Sequence, residues 1–184
     1  KFYWNKKAEN YKYDICDIDK INPLFKNVDC VFHLAADSRI QRAIENPQKT
    51  INVNLLGTLN VLDSVKNNNV KRIIYSSTSA YYGIKNVLPH EESMKSDCLN
   101  PYSIAKVAGE DLIKMYSEIY GLESIIFRYF NVYGERQPLM GAYAPVIGLF
   151  IKQMKKGEKM TVVGTGKARR DFTHVSDVVE ANIL

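Results

Sequence analysis

The sequence predicts an α/β fold built on a doubly wound parallel sheet. Three observations carry that expectation. Short apolar runs rich in Val, Ile and Phe alternate with stretches of helical periodicity. The runs are continuously apolar, as strands covered by helices on both faces are. The spacing between runs leaves room for a crossover helix, which implies right-handed connections and a parallel sheet.

The elements follow in order. Val31 to Ala35 reads as a buried strand, and a helical stretch runs from Pro47 to Lys66. Arg72 to Ser76 reads as a strand, Pro101 to Tyr120 as a helix and Ser124 to Tyr129 as a strand. Pro145 to Lys156 reads as a helix and Met160 to Val163 as a last strand. The longest irregular stretch, Tyr82 to Asn100, leaves a strand end and enters a helix. Ligands in open α/β sheets bind outside the carboxyl ends of strands, so this loop belongs at the site.

Composition narrows the function classes. The 184 residues are 46% apolar and 24% charged, with net charge +5 and a sequence pI near 9.0. The basic residues are scattered, and the densest stretches, Lys152-Lys155-Lys156 and Lys167-Arg169-Arg170, are short. A nucleic-acid surface would need a continuous basic stripe, so no nucleic-acid partner is expected. No apolar run reaches the roughly 20 residues of a membrane span, so no membrane partner is expected either. Three cysteines without metal-like spacing (Cys16, Cys30, Cys98) suit reduced thiols in a cytoplasmic protein, with no metal.

The strongest chemical feature is Asn100-Pro101-Tyr102-Ser103-Ile104-Ala105-Lys106. Asn100 suits an N-cap and Pro101 a first helical residue, which places Tyr102 and Lys106 four apart on one face. A free tyrosine titrates near pH ~10, and an adjacent ammonium favours its phenolate. The pair suits acid–base work on a hydroxyl. Taken alone, a Tyr-x-x-x-Lys match reads better as a surface pair on an amphipathic helix. Upstream, however, Ser76-Ser77-Thr78 closes a predicted strand, where a hydroxyl can bond both a substrate oxygen and the phenol. By itself that cluster would read as turn chemistry.

Six motifs stand in order: His33-Leu34-Ala35-Ala36, Asn54-Leu55-Leu56-Gly57-Thr58, Ser76-Ser77-Thr78, Tyr102-x-x-x-Lys106, Arg128 to Gly134, and Arg170-Asp171-Phe172-x-His174-Val175-x-Asp177. With them the chain resembles the extended short-chain dehydrogenase/reductases that act on nucleotide sugars, and most nearly the UDP-glucose and UDP-N-acetylglucosamine 4-epimerases. The resemblance implies a Rossmann-like fold, NAD as cofactor and a UDP-linked sugar as substrate. It implies Tyr102 as catalytic base, Thr78 as the hydroxyl on the sugar, and Lys106 as the group that holds the nicotinamide ribose and tunes the tyrosine. Asp14 and Ile15 would contact the adenine, and Leu34, Ala35, Ala36 and Ser38 would line the cofactor. Asn54, Ser76 and Ser77 would steady the cofactor side, with Tyr129 and Phe130 at the nicotinamide end. Asn131, Thr161, Val163 and Arg170 would meet the nucleotide sugar.

Plainer readings stand beside these. Asn54 can simply end a hydrogen-bond network, Tyr129 and Phe130 can be core aromatics, and Arg170 can be solvated. His33, His174 and Asp177 read as structural.

The residues after Thr78 separate the relatives. By resemblance, dehydratases carry Asp-Glu there and decarboxylases a Glu two places on. Here those places hold Ser79 and Ala80. This favours 4-epimerisation over dehydration or decarboxylation, or over a non-catalytic binding relative.

The family's Gly-rich phosphate loop has no counterpart, since all ten glycines lie at or beyond Gly57. The chain opens on Lys1-Phe2-Tyr3-Trp4, expected in a second or third strand. The expectation is therefore a fold lacking its first βα unit: residues 1–135 as a partial NAD-binding domain, and 136–184 as the start of a substrate-binding region. Such a fragment is expected to bind NAD weakly and turn over little. The resemblance also implies a homodimer, formed through Pro47–Lys66 and Pro101–Tyr120.

Overall fold

A computed structural model describes residues 4–137 and 145–184. Lys1 to Tyr3 lie outside the described residues, and Trp4 onward to Asp17 forms no strand. Residues 138–144, within the stretch expected to begin a substrate-binding region, also lie outside them.

Three parallel strands form the sheet in the order β1 (Cys30–His33), β2 (Arg72–Thr78), β3 (Glu123–Tyr129). The register sets Phe32 beside Ile74 and Ile74 beside Ile125. A short helix α1 (Ile18–Ile21) runs into a 3-10 turn ahead of β1. Helices α2 (Ile40–Glu45), α3 (Pro47–Ile51) and α4 (Gly57–Asn67) lead from β1 to β2, and α5 (Pro101–Tyr120) leads from β2 to β3. Helices α6 (Val146–Lys155) and α7 (Val175–Ile183) follow.

Both crossovers cover one face of the sheet. Ile73 and Tyr75 of β2 pack there against Val61, Leu62 and Val65 of α4 and Ile113 and Tyr116 of α5. The expected helical cover on both faces is met on this side. Side chains alternate along a strand, so Phe32, Leu34 and Ile125 point to the other side. There they remain 49%, 61% and 40% exposed. Helix α7 meets that side at its end, where the Tyr129 hydroxyl donates to Asn182 Oδ1 at 2.9 Å.

The helix expected over Pro47–Lys66 is present but not uniform. Between α3 and α4, Asn52–Leu56 is a π-helical segment, closed by the Gly57 N–H on the Asn52 carbonyl. The strand expected at Met160–Val163 is not formed. Met160, Val162 and Val163 are 51%, 63% and 88% exposed and pair with no strand among the described residues. β-branched composition alone does not make a strand without a partner edge.

Helix α5 has the bounds its sequence predicts. Asn100 Oδ1 accepts from the Ser103 N–H at 2.9 Å and Ser103 Oγ accepts from the Asn100 N–H at 3.3 Å, a reciprocal cap. Gly121 ends the helix in the left-handed region at φ 70°. No described helix is long and apolar enough to cross a membrane.

Candidate active site

The site gathers where β2 ends and α5 begins. Thr78 is the last residue of β2, and its Oγ1 accepts from the Ala80 N–H at 3.1 Å. A hydroxyl whose oxygen is already engaged by a donor is biased to donate its own proton elsewhere. The Tyr102 phenol, in the first turn of α5, lies beside it. Burial raises the pKa of that phenol, and the Thr78 hydroxyl opposes the rise. In the structure Thr78, rather than Lys106, is the group that works against burial at Tyr102.

Lys106 is almost fully buried, at 2% exposure. Its Nζ sits 4.0 Å above the centre of the Tyr75 ring, a cation–π contact on the central strand. Burial lowers its pKa to about 7, against the pull of Glu110. His33 is buried nearby, its Nε2 2.9 Å from Thr58 Oγ1. Burial first, and the Lys106 charge second, lower its pKa to about 3, so the ring is neutral. Among the described residues no cluster of His, Cys, Asp and Glu could hold a metal ion.

The residues expected along the cofactor lie mostly past β1. Leu34, Ala35 and Ser38 are exposed and Ala36 is half-buried. Asn54, buried in the π segment, clamps this stretch: its Oδ1 accepts from the Asp37 N–H at 2.7 Å and its Nδ2 donates to the Asp37 carbonyl at 3.0 Å. Asp14 is exposed and holds its own turn through the Cys16 N–H. The Ile15 carbonyl accepts from Asn60 Nδ2 at 3.0 Å, while its side chain packs onto Gly57. A β-carbon at Gly57 would lie 2.6 Å from Ile15 Cδ1, so a larger residue there would push the end of the Ile15 side chain aside. Ser76 is half-buried, whereas the buried Ser77 hydroxyl turns away and donates to Glu110. Phe130 stacks on Tyr82, and Tyr129 bonds Asn182.

The expected sugar-nucleotide residues have partners outside the proton-transfer group. Asn131 adopts a positive φ of 35° and donates to the Asp171 carbonyl at 2.8 Å. Thr161 is tied to α6 through Gln153, by its N–H at 3.1 Å and its hydroxyl at 2.7 Å. Val163 is exposed, and Arg170 bonds the neighbouring Arg169 carbonyl. The structure thus brings Thr78, Tyr102 and Lys106 together, with the stretch after β1 held beside them by Asn54. Thr161 and Arg170 have their partners on α6 and within their own turn.

Sequence reasoning assigned no role to Glu110, Arg128, Tyr82 or Asp97. Glu110 is fully buried and Arg128 is its ion-pair partner at 2.8 Å. A carboxylate one turn beyond Lys106 on the same helix face was the available signal. Asp97 organises the Tyr82–Asn100 loop, accepting from the Ile84 and Lys85 N–H groups at 2.9 and 3.0 Å.

Comparison with known proteins places this geometry. The model of the NAD dependent epimerase/dehydratase family matches residues 1–184. A Methanocaldococcus jannaschii protein, provisionally named a UDP-glucose 4-epimerase, is 41% identical over 184 residues, covering 98% of this chain and 59% of the relative. The Thermotoga maritima UDP-glucose 4-epimerase, solved with UDP-glucose, superposes with a TM-score of 0.94 at 34% identity, over 98% of this chain and 59% of that one. A UDP-N-acetylglucosamine 4-epimerase from Methanobrevibacter ruminantium, in complex with UDP-N-acetylmuramic acid, superposes with a TM-score of 0.90 at 37% identity, over 94% and 56%. The chain therefore spans less than two thirds of the length of the relatives it matches. Its strands and crossovers are those of a Rossmann-like sheet.

Proposed function

The chain belongs to the NAD dependent epimerase/dehydratase family, and from that premise we propose that it carries the proton-transfer centre of a UDP-sugar 4-epimerase. The substrate on this reading is UDP-glucose/UDP-galactose or its 2-acetamido counterpart. The observation that carries the reading is the Thr78–Tyr102–Lys106 group, followed by Ser79 and Ala80 in a 3-10 turn.

The residues past β1 fit the cofactor. Small, exposed Ala35 and the half-buried Ala36 leave their backbone open to a ligand. Lys106 offers a buried ammonium at the same end of the sheet. NAD, when bound, supplies the hydride chemistry.

The chain's own residues handle the proton. Tyr102 takes it from the sugar's 4-hydroxyl onto the phenol oxygen and later returns it. Thr78 opposes the burial that raises the pKa of the phenol, and Lys106, one helical turn along, is read as the group that holds the nicotinamide ribose. Thr78, its oxygen fixed by the Ala80 N–H, directs its proton at an oxygen in the site and so sets the approach of the sugar hydroxyl. Asn54 keeps the stretch from Leu34 to Ser38 in place. Asn131, Thr161, Val163 and Arg170 are assigned to the nucleotide-sugar side, and residues 1–135 and 136–184 to the cofactor and substrate parts.

Dehydration and decarboxylation need an acid–base group just after Thr78, and Ser79 and Ala80 supply none. We assign the protein to the cytoplasm, as a homodimer.

The test is product analysis of the full-length gene product with UDP-glucose and UDP-N-acetylglucosamine. A C4 epimer is expected. A 4-keto-6-deoxy sugar, or a pentose with carbon dioxide from UDP-glucuronate, would overturn the assignment. Tyr102→Phe is expected to lower kcat by about 100-fold or more while nucleotide-sugar binding persists; retained turnover would mean another base.

A further inference from the structure

One polar network outside the proton-transfer group joins three parts of the fold. Glu110 is fully buried on α5, one turn beyond Lys106 and two beyond Tyr102. Its carboxylate accepts from the Ser77 hydroxyl, on the residue that precedes Thr78 in β2. It also accepts from Arg128 of β3, from Nε at 3.1 and 3.3 Å and from Nη2 at 2.8 Å.

Arg128 then reaches the loop. Its Nη1 donates to the Glu92 carbonyl at 3.1 Å and to the Tyr82 hydroxyl at 3.3 Å. Its guanidinium lies 3.4 Å from the centre of the Tyr81 ring. Tyr82 in turn stacks on His90 at 4.4 Å and on Phe130 at 5.9 Å. A buried carboxylate needs paired donors, and a planar guanidinium can serve several acceptors at fixed angles. Lysine could not reproduce that set.

We propose that Glu110 and Arg128 are positioning residues for the Tyr102–Lys106 helix. They clamp α5 to the end of β2 that carries Thr78, and they fasten the Tyr82–Asp97 loop to the same clamp as a wall of the substrate pocket. The proposal rests on the epimerase reading for its substrate. Neither residue touches the reacting oxygen; each acts through Ser77 and the loop. Misplacement of a reacting group by about 1 Å costs on the order of 100-fold in rate, so a loosened clamp is expressed in kcat.

The experiment uses the full-length gene product with Glu110→Gln, Arg128→Lys and Tyr82→Phe. Glu110→Gln and Arg128→Lys are expected to lower kcat by about 10- to 100-fold with NAD affinity within about threefold. Hydrogen exchange at the Ile84, Lys85 and Asp97 amides is expected to quicken by about 10-fold, with Ile113 and Tyr116 of α5 unchanged. Tyr82→Phe leaves the buried pair intact, so it reports the loop arm even where the other variants fold poorly; a smaller acceleration confined to the loop is expected. Unchanged loop exchange in all three variants overturns the coupling. Quickened exchange with wild-type kcat, well below the melting temperature, reduces the pair to a structural tie and overturns the positioning role. Absence of any turnover in the wild type counts against the epimerase reading, and the exchange measurements still decide the clamp.

Discussion

Gly109 of α5 lies against the Tyr75 hydroxyl so closely that a β-carbon there would overlap the phenol oxygen. Tyr75 cannot yield, because it is fully buried at the centre of the sheet. Its hydroxyl donates to the Lys106 carbonyl at 3.3 Å and its ring lies under the Lys106 ammonium. The contact brings α5 against β2 and so helps set the depth of the Tyr102–Lys106 face.

Gly109→Ala tests that contact. Alanine gains about 1 kcal/mol in helix propensity, while overpacking a rigid site costs about 1–3 kcal/mol. The expected net result is a loss of up to about 2 kcal/mol, read as a lower denaturation midpoint at constant m-value. A stabilised variant would show that the strand and helix can separate freely.

Asn100→Ala removes the reciprocal cap at the start of α5. A loss of about 1 kcal/mol is expected. Because Tyr102 stands in the first turn, amide exchange there should rise before that of the α5 centre. Equal protection across the helix would contradict this.

Lys106→Met is expected to stabilise the protein while weakening NAD binding and slowing turnover. Burial holds the lysine pKa at about 7 in the folded state, below the ordinary 10.5. The unfolded chain therefore binds more protons between these values, so stability rises with pH from about 7 to about 10.5. Below that window the full burden of the buried charge is present. Methionine removes it, with a gain of about 2–4 kcal/mol at neutral pH and a flatter alkaline profile. Denaturant titrations of both proteins across the alkaline range provide the check; parallel profiles would refute it.

His33 sets the opposite end of the pH profile. Its folded pKa of about 3 lies below the ordinary 6.5, so the unfolded state takes up the proton first. Stability then falls by about 1.4 kcal/mol per pH unit as pH drops through that interval, and His33 contributes nothing above it. Asp17 and Asp97 have lowered pKa values, so their stabilisation fades only as pH falls below the ordinary 3.8. Between about pH 6 and pH 4.5 the slope should vanish in His33→Asn. A slope that persists would place the titrating group elsewhere.

Legibility followed the range of the forces. The bounds of α5 were readable because Asn100, Pro101 and Gly121 act on adjacent backbone groups. The strands β1 to β3 were readable because buried runs of Val, Ile and Phe are local in the chain. Met160–Val163 has strand composition but pairs with no strand among the described residues. Glu110 and Arg128 stand eighteen residues apart on different elements, and nothing in either neighbourhood announces the other. The titration of Tyr102 also departs from the sequence expectation. Spacing places Lys106 on its face, whereas burial, a property of the packed core, dominates its pKa.

The π segment between α3 and α4 turns residue count into a structural quantity. Gly57 bonds five residues back to Asn52, so this stretch holds one residue more than an α-helix would use over the same path. That surplus lets Asn54 face the Asp37 backbone while Gly57 still meets Ile15. Substitutions at Val53 or Leu55 keep the offset. Deleting either would close the helix into ordinary α geometry and rotate the Asn54 carboxamide off its loop. The stretch from Leu34 to Ser38 therefore depends on chain length here as much as on residue identity.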